Sequence, residues 1–225
     1  MNGKLKIKIV VDVAMTVLLM LLMAFELIGR TAHEWLGIGI FVLFVLHHIL
    51  NRKWSRNLLK GKYTPVRVLQ TILAALVLIS MLGSMISAVL ISREVFAFLP
   101  ITGGRALGRA LHMLSAYWGF VFLSLHLGFH WNMMMGMAGR LCKEPSRLRR
   151  IILRILGICI AVYGVYAFIR RGLPGYMSLQ NPFVFFDFEE PLIFFFLDYL
   201  AVMGLFVWAG HYLAKLVRKM QKGRA

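Results

Sequence analysis

Long apolar runs alternate along the chain with short polar segments that are rich in Lys and Arg. Six of the runs come close to the roughly 20 residues that an α-helix needs to cross the hydrocarbon core of a bilayer. They lie at 9–29, 33–51, 66–91, 108–134, 151–170 and 192–214. Membrane-crossing β-strands are only about half as long. The pattern therefore predicts an all-α integral membrane helix bundle with six transmembrane helices.

Composition agrees with a single transmembrane domain and lipid as its surroundings. Hydrophobic residues make up 60% of the 225 residues, above the proportion that is usual in soluble domains. The net charge of +17 comes from Lys and Arg clusters between the apolar runs. No basic stripe with interleaved aromatic residues is present, so nucleic acid is not expected as a partner.

The basic residues are distributed unevenly between the two sets of loops. The N-terminus, the second-to-third loop, the fourth-to-fifth loop and the tail hold 18 Lys and Arg residues, whereas the alternate loops hold six. Short loops that are rich in Lys and Arg stay in the cytoplasm. Both termini are therefore predicted to be cytoplasmic, in a multi-pass protein of the cell membrane.

Four of the seven histidines form two pairs with the same spacing. His33 and His47 lie 14 residues apart in the second run, and His112 and His126 lie 14 apart in the fourth. Fourteen helical residues rise about 21 Å and stop about 40° short of four full turns, so each pair lies on nearly one face. The second and fourth helices run in the same direction, which would set His33 level with His112 and His47 level with His126.

Two imidazoles that face each other inside a helix bundle are suited to hold a haem iron from both sides. The two levels predict two bis-histidine haems, bound by a core that helices 2 and 4 form. The alternative is four unrelated histidines with interfacial or hydrogen-bonding roles. The chain has no CxxCH motif, so the haems would be haem b without thioether links, and Cys142 and Cys159 are expected to be reduced thiols.

Two other histidines could replace His47 or His126 as a predicted ligand. His48 is adjacent to His47 and about 100° round the helix, so only one of them can face a given cofactor. The 14-residue register favours His47. His130 lies one turn after His126 and could replace it, contact a haem propionate or bind a quinone.

Glycines and arginines near the histidines are further candidates for cofactor binding. Gly37 and Gly119 lie on the predicted ligand faces, where a missing side chain lets a porphyrin approach the backbone. Ordinary helix packing would explain them as well. Arginine binds carboxylates in a bidentate manner, so Arg30, Arg105 and Arg109 are candidates to bind haem propionates.

Two stretches resemble the flavinylation-associated cytochrome family of bacterial membrane proteins. They are HEWLG followed by HH and N in the second run, and LHMLSAYWGF followed by HLGFHW in the fourth. The tail FFDFEEPLIFFFLDYLAVMGLFVWAGHYL is similar to longer members of the family. The resemblance implies a membrane electron conduit to flavoproteins outside, with His33, His47, His112 and His126 as haem ligands.

The predicted function is that of a b-type dihaem cytochrome. It would carry electrons across the bilayer from quinol or a cytoplasmic donor to an extracytoplasmic FMN-binding flavoprotein. Residues 1–134 would form a haem-binding four-helix core, and 151–225 would add two helices and an outer amphipathic loop at 171–191. One alternative is a quinol-coupled reductase or oxidase that acts directly on a small extracellular substrate. A second is a transition-metal transporter or assembly factor.

Overall fold

The computed structural model describes residues 3–139 and 146–223 of the chain. Over these residues the structure is helical without a β-strand, which confirms the predicted all-α class. The helices are α1 (Gly3–Leu22), α2 (Phe25–Leu50), α3 (Arg52–Arg56), α4 (Pro65–Ile91), α5 (Arg105–Gly139), α6 (Arg147–Arg170), α7 (Leu173–Met177) and α8 (Leu192–Lys222). Cys142 and three of the basic residues used to predict the orientation, Arg140, Lys143 and Arg224, lie outside the described residues.

Five of the described helices are long and apolar enough to cross a membrane. They are α2, α4, residues Arg105–Phe129 of α5, α6 and residues Leu192–Gln221 of α8. Helix α1 differs because it carries Lys4, Lys6, Lys8 and Asp12, and its apolar part after Lys8 spans only about 21 Å of a core about 30 Å thick. The chain is thus a multi-pass membrane protein, and the sixth crossing stays a prediction.

The boundary between the first two helices differs from the predicted one. The apolar runs predict a break between residues 29 and 33, whereas α1 ends at Leu22 and α2 begins at Phe25. The turn itself is apolar, since Ala24 is buried, so the hydrophobic pattern does not mark it. The polar residues near 30 coincide instead with a kink at Gly29, whose φ of 74° favours glycine.

The described chain divides into two compact units, and α4 and α5 contribute to both. The first unit comprises Met1–Lys62 and Met81–Ala116. Within it, α1 and α2 pack antiparallel, because residues near the start of α1 contact the end of α2. Lys8 Nζ donates to Asn51 Oδ1 at 2.8 Å, and Asp12 Oδ1 lies 2.7 Å from His47 Nδ1.

The second unit comprises Tyr63–Ser80 and Tyr117–Ala225. Helix α8 packs closely on α5 and on α6 through small residues. A Cβ added at Gly128 would collide with the backbone of Val207, and one added at Gly164 would collide with that of Ala201. Glycine is common at such helix crossings in membranes because it lets the backbones approach. The interior of this unit includes the fully buried side chains of Phe120 and Val202.

Candidate functional site

The first unit brings His33 of α2 and His112 of α5 together. Their ring centroids are 6.0 Å apart and the ring planes are inclined by 68°. His33 also makes an edge-to-face contact with Phe25 at 5.1 Å between centroids. These two histidines lie almost eighty residues apart in the chain. The two histidines of the predicted His33–His112 pair are therefore in contact within this unit.

Helix α4 orients the His112 ring through its second nitrogen. His112 Nδ1 lies 3.2 Å from the carbonyl oxygen of Ser84 and 3.1 Å from Ser87 Oγ. The Ser87 hydroxyl directs its own proton to the carbonyls of Gly83 and Ser84, so it accepts from the imidazole. This network assigns the proton to Nδ1 and leaves the Nε2 lone pair available, as in metal-bound histidines whose other nitrogen is hydrogen-bonded.

The spacing of the two rings fits a shared iron ion. Imidazole nitrogens bind metals at about 2 Å, so two rings on opposite sides of one metal have centroids about 6 Å apart. The observed separation is 6.0 Å. Nδ1 of His33 is buried without an aligned hydrogen-bond partner among the described residues, with the backbone of Leu22 nearby. A haem iron takes at most two protein ligands, so a pair of histidines is sufficient. Groups of three or more His, Cys, Asp or Glu are not found in the described part of the chain.

His47 of α2 has a carboxylate partner that the sequence pattern does not reveal. Its Nδ1 lies 2.7 Å from Asp12 Oδ1, and Asn51 Nδ2 lies 3.4 Å from its Nε2. A carboxylate that accepts from Nδ1 is a common outer partner of metal-bound histidine because it fixes the ring and raises its basicity. The only sequence signal is that a charge within an apolar run is costly unless it is paired.

The His48 ring contacts its own helix. Its Nδ1 lies 3.0 Å from the carbonyl oxygen of Phe44, and its ring packs on the Phe44 ring with 4.3 Å between centroids. His47 and His48 therefore differ in their surroundings. The choice between them as a cofactor ligand remains the one that the 14-residue register predicts.

His126 and His130 of α5 lie together in the second unit. Their ring centroids are 4.8 Å apart, and His130 Nε2 is 3.2 Å from Nε2 of Gln70 on α4. Gln70 is a polar neighbour that the sequence pattern does not single out. His47 belongs to the first unit and His126 to the second. The pairing of these two histidines therefore stays a prediction.

The remaining predicted residues have varied environments. Arg30, Arg105 and Arg109 are exposed. A Cβ added at Gly37 would meet no heavy atom of the described residues within 4 Å, so space is open beside it. A Cβ added at Gly119 would lie 3.2 Å from Ser80 Cβ, which indicates close packing of α5 on α4 at that point.

Glu34, the residue after His33, holds the loop that follows α4. Its carboxylate accepts hydrogen bonds from Ser92 Oγ at 2.6 Å and from the backbone nitrogens of Arg93, Glu94 and Val95 at 3.0, 3.1 and 2.9 Å. Successive backbone N–H groups form a concave site for an anion, here filled by a side chain of α2. The helix that carries His33 is thereby connected to the loop between α4 and α5.

The same loop lines a small cleft in the first unit. The cleft has a volume of about 210 Å³, with Ser92, Arg93, Phe96 and Arg105 among its lining residues. Two guanidinium groups in one cleft favour an anionic ligand. Arg105, one of the candidates for propionate binding, is thus placed with Arg93 rather than alone.

No family model matches this chain, and neither the curated proteins nor the solved structures give a match. The function is therefore argued from the site itself.

Removing the Glu34 carboxylate should release the loop it holds. In Glu34→Ala, amide hydrogen exchange at residues 93–95 should become about tenfold faster, which corresponds to a loss of about 1.4 kcal/mol in the free energy of opening the loop. Hydrogen bonds to a charged group are strong, but this carboxylate is partly exposed, which reduces the effect. Hydrogen-exchange mass spectrometry measures these exchange rates. Glu26→Ala, at an exposed position of the same helix, is the matched control. Equal protection in both variants would contradict the assigned role.

Proposed function

We propose that the chain is a b-type dihaem membrane cytochrome that carries electrons across the bilayer. The donor would be quinol or a cytoplasmic protein, and the acceptor an extracytoplasmic FMN-binding flavoprotein. The observation that carries the proposal is the His33–His112 pair, with its 6.0 Å spacing and its hydrogen-bonded Nδ1. The resemblance of the motifs around these histidines to the flavinylation-associated cytochrome family supports it.

The proposed arrangement extends the five candidate spans by one. Helix α1 would be the sixth crossing, both termini would be cytoplasmic, and the membrane would be the plasma membrane of a bacterium. The ligand helices 2 and 4 of the sequence pattern correspond to α2 and α5. His33 and His112 would hold one haem, and His47 and His126 the other.

Each protein group has a defined task in this proposal. The four histidines would hold the two haems, while Ser84 and Asp12 hold two of the rings by their Nδ1 atoms. Bound haem would supply one-electron transfer, and two histidine ligands for each iron would favour transfer over oxygen chemistry. Gln70 and His130 would offer hydrogen bonds to a quinone carbonyl.

Loss of the Asp12 carboxylate should change the properties of one haem alone. In Asp12→Ala, the midpoint potential of the haem held by His47 should rise, because the less basic imidazole stabilises the ferric state less. Affinity for that haem should fall by about 10- to 100-fold. Redox titration followed at the α-band measures the potential, and titration of the haem-depleted protein with haem measures the affinity. Thr16→Ala, which loses only a hydroxyl that donates to the Asp12 backbone, should leave both unchanged. An identical titration of Asp12→Ala and wild type would argue against His47 as a ligand.

The Arg93–Arg105 cleft favours a second candidate function. It lies in the same unit as the His33–His112 pair and would suit a small anionic substrate. The protein would then be a quinol-coupled reductase or oxidase that acts on this substrate directly. In that case Arg93→Gln should slow reoxidation by the substrate and leave haem content unchanged.

Transfer across a sealed membrane tests the main proposal. Proteoliposomes of the full chain would contain a reductant inside and an FMN-binding flavoprotein outside. We expect haem-dependent reduction of the outer acceptor, and loss of this activity in His33→Ala. Outer reduction at the rate of protein-free liposomes would contradict the proposal. Fast reoxidation by a small anionic substrate, with none by the flavoprotein, would favour the second candidate.

A further inference from the structure

The segment between α7 and α8 exposes three phenylalanines. Phe183, Phe185 and Phe188 are 58, 71 and 74% exposed. Pairs of rings pack along the segment, with 4.7 Å between the centroids of Phe183 and Phe185 and 5.0 Å between those of Phe186 and Phe188. Exposed aromatic side chains in a continuous row are unusual on a surface that faces water.

Ion pairs hold this segment at the end of the helices. Arg170 and Arg171, where α6 ends, bind Glu190 just before α8 and Asp198 within it. Arg171 Nε lies 2.7 Å from Asp198 Oδ2, and Asp198 is fully buried. Residues 172–190 therefore begin and end where the end of α6 is joined to the first turns of α8.

The middle of the segment is held down as well. Tyr176 of α7 is buried, stacks on Tyr117 of α5 at 5.0 Å, and accepts a hydrogen bond from the backbone nitrogen of Phe185 at 3.0 Å. Trp118 Nε1 donates to the carbonyl of Met177 at 3.1 Å. The segment thus lies flat on its unit instead of extending into solution.

The segment packs on α8 beside exposed apolar residues at the start of that helix. Phe186 packs on Phe195 of that helix with 5.5 Å between ring centroids. Leu192 and Ile193, at the start of the same candidate span, are themselves exposed. Asp187 and Glu189 are interspersed with the aromatic residues and are exposed too, so acidic groups lie next to the exposed rings.

We propose that Phe183, Phe185 and Phe188 insert into the interfacial region of the leaflet at which α6 ends and α8 begins. Aromatic side chains favour this depth because their rings tolerate its mixed polarity. The occupant of the surface is lipid and not a protein. Because the neighbouring charges are acidic, insertion is driven by apolar contact and depends little on anionic lipid. This role needs only the membrane location and is independent of the proposed redox function.

Spin labelling of the full-length protein in liposomes tests the insertion. A nitroxide would be attached in Phe185→Cys, in a background with Cys142→Ser and Cys159→Ser, and in Glu189→Cys as the matched control at an exposed acidic position of the same segment. Phe183→Cys and Phe188→Cys would be read in parallel, so the result does not depend on one variant. Oxygen concentrates in lipid, whereas a polar nickel complex stays in water.

We expect the ratio of oxygen to nickel accessibility to be severalfold higher at Phe183, Phe185 and Phe188 than at Glu189. This difference should be the same in zwitterionic and anionic liposomes. Equal, high nickel accessibility at all four positions would overturn the proposal, because the rings would face water. Shielding of the three labels from both reagents in native membranes, but not in liposomes, would also overturn it in favour of a protein partner.

Discussion

His112→Ala is expected to lower the haem content from two per chain to one. The imidazole is one of two in the His33–His112 pair, and α4 holds it by hydrogen bonds to Ser84 and Ser87. Alanine would remove one of the two proposed haem ligands, and no other histidine ring of the first unit contacts the pair among the described side chains. The pyridine haemochrome assay, with protein measured by amino-acid analysis, gives the ratio.

Two companion variants make this result specific. His48→Ala is the matched control, because that ring bonds to the carbonyl of its own helix at Phe44, and it should keep two haems. His33→Ala should lose the same haem, and the double variant should lose no more than either single one. Two haems in His112→Ala would show that the pair does not bind iron.

Asp198→Ala is expected to destabilise the second unit strongly. The carboxylate is fully buried and accepts from Tyr163 Oη at 2.6 Å and Arg171 Nε at 2.7 Å. Burial opposes the charge of Arg171, but its hydrogen bonds to Glu190 and Asp198 outweigh this and raise the pKa of the guanidinium. In Asp198→Ala, Arg171 loses one of its two carboxylate partners and the Tyr163 hydroxyl loses its acceptor. Removing one partner of a buried ion pair costs about 3 kcal/mol.

Thermal unfolding in detergent, followed by the loss of the monodisperse species on size exclusion, measures the effect. The apparent melting temperature of Asp198→Ala should fall by several degrees, whereas Asp187→Ala, an exposed carboxylate of the same unit, should melt as the wild type does. Identical melting of the two variants would mean that the ion pairs with Arg170 and Arg171 contribute no stability.

The apolar runs of the sequence predict the helices well because lipid leaves little choice. Backbone polar groups must be satisfied within each segment, so a run of membrane length forms a helix. The five candidate spans follow from this rule. The rule fails where a turn is itself apolar. The turn at Met23 and Ala24 lies within a continuous hydrophobic stretch, so the sequence does not mark it, and it is seen only from the packing of α1 on α2.

The candidate site could be predicted in part. Helical periodicity relates His33 to His47 and His112 to His126, because these spacings are local. The contacts of Asp12 with His47, Glu34 with the 92–95 loop and Asp198 with Arg171 join distant segments, and no local spacing encodes them. For these contacts the sequence indicates only that each carboxylate needs a partner, because a charge within an apolar run is costly unless it is paired.

The optical spectrum of the purified full-length protein tests the central claim most directly. It would be recorded in the oxidised state and after reduction by dithionite, with haem and protein quantified in the same sample. The His33–His112 pair and the matched spacing of His47 and His126 predict a low-spin b-type spectrum with a split reduced α-band and two haems per chain. A folded protein from haem-replete cells that shows no α-band and no iron would contradict the account.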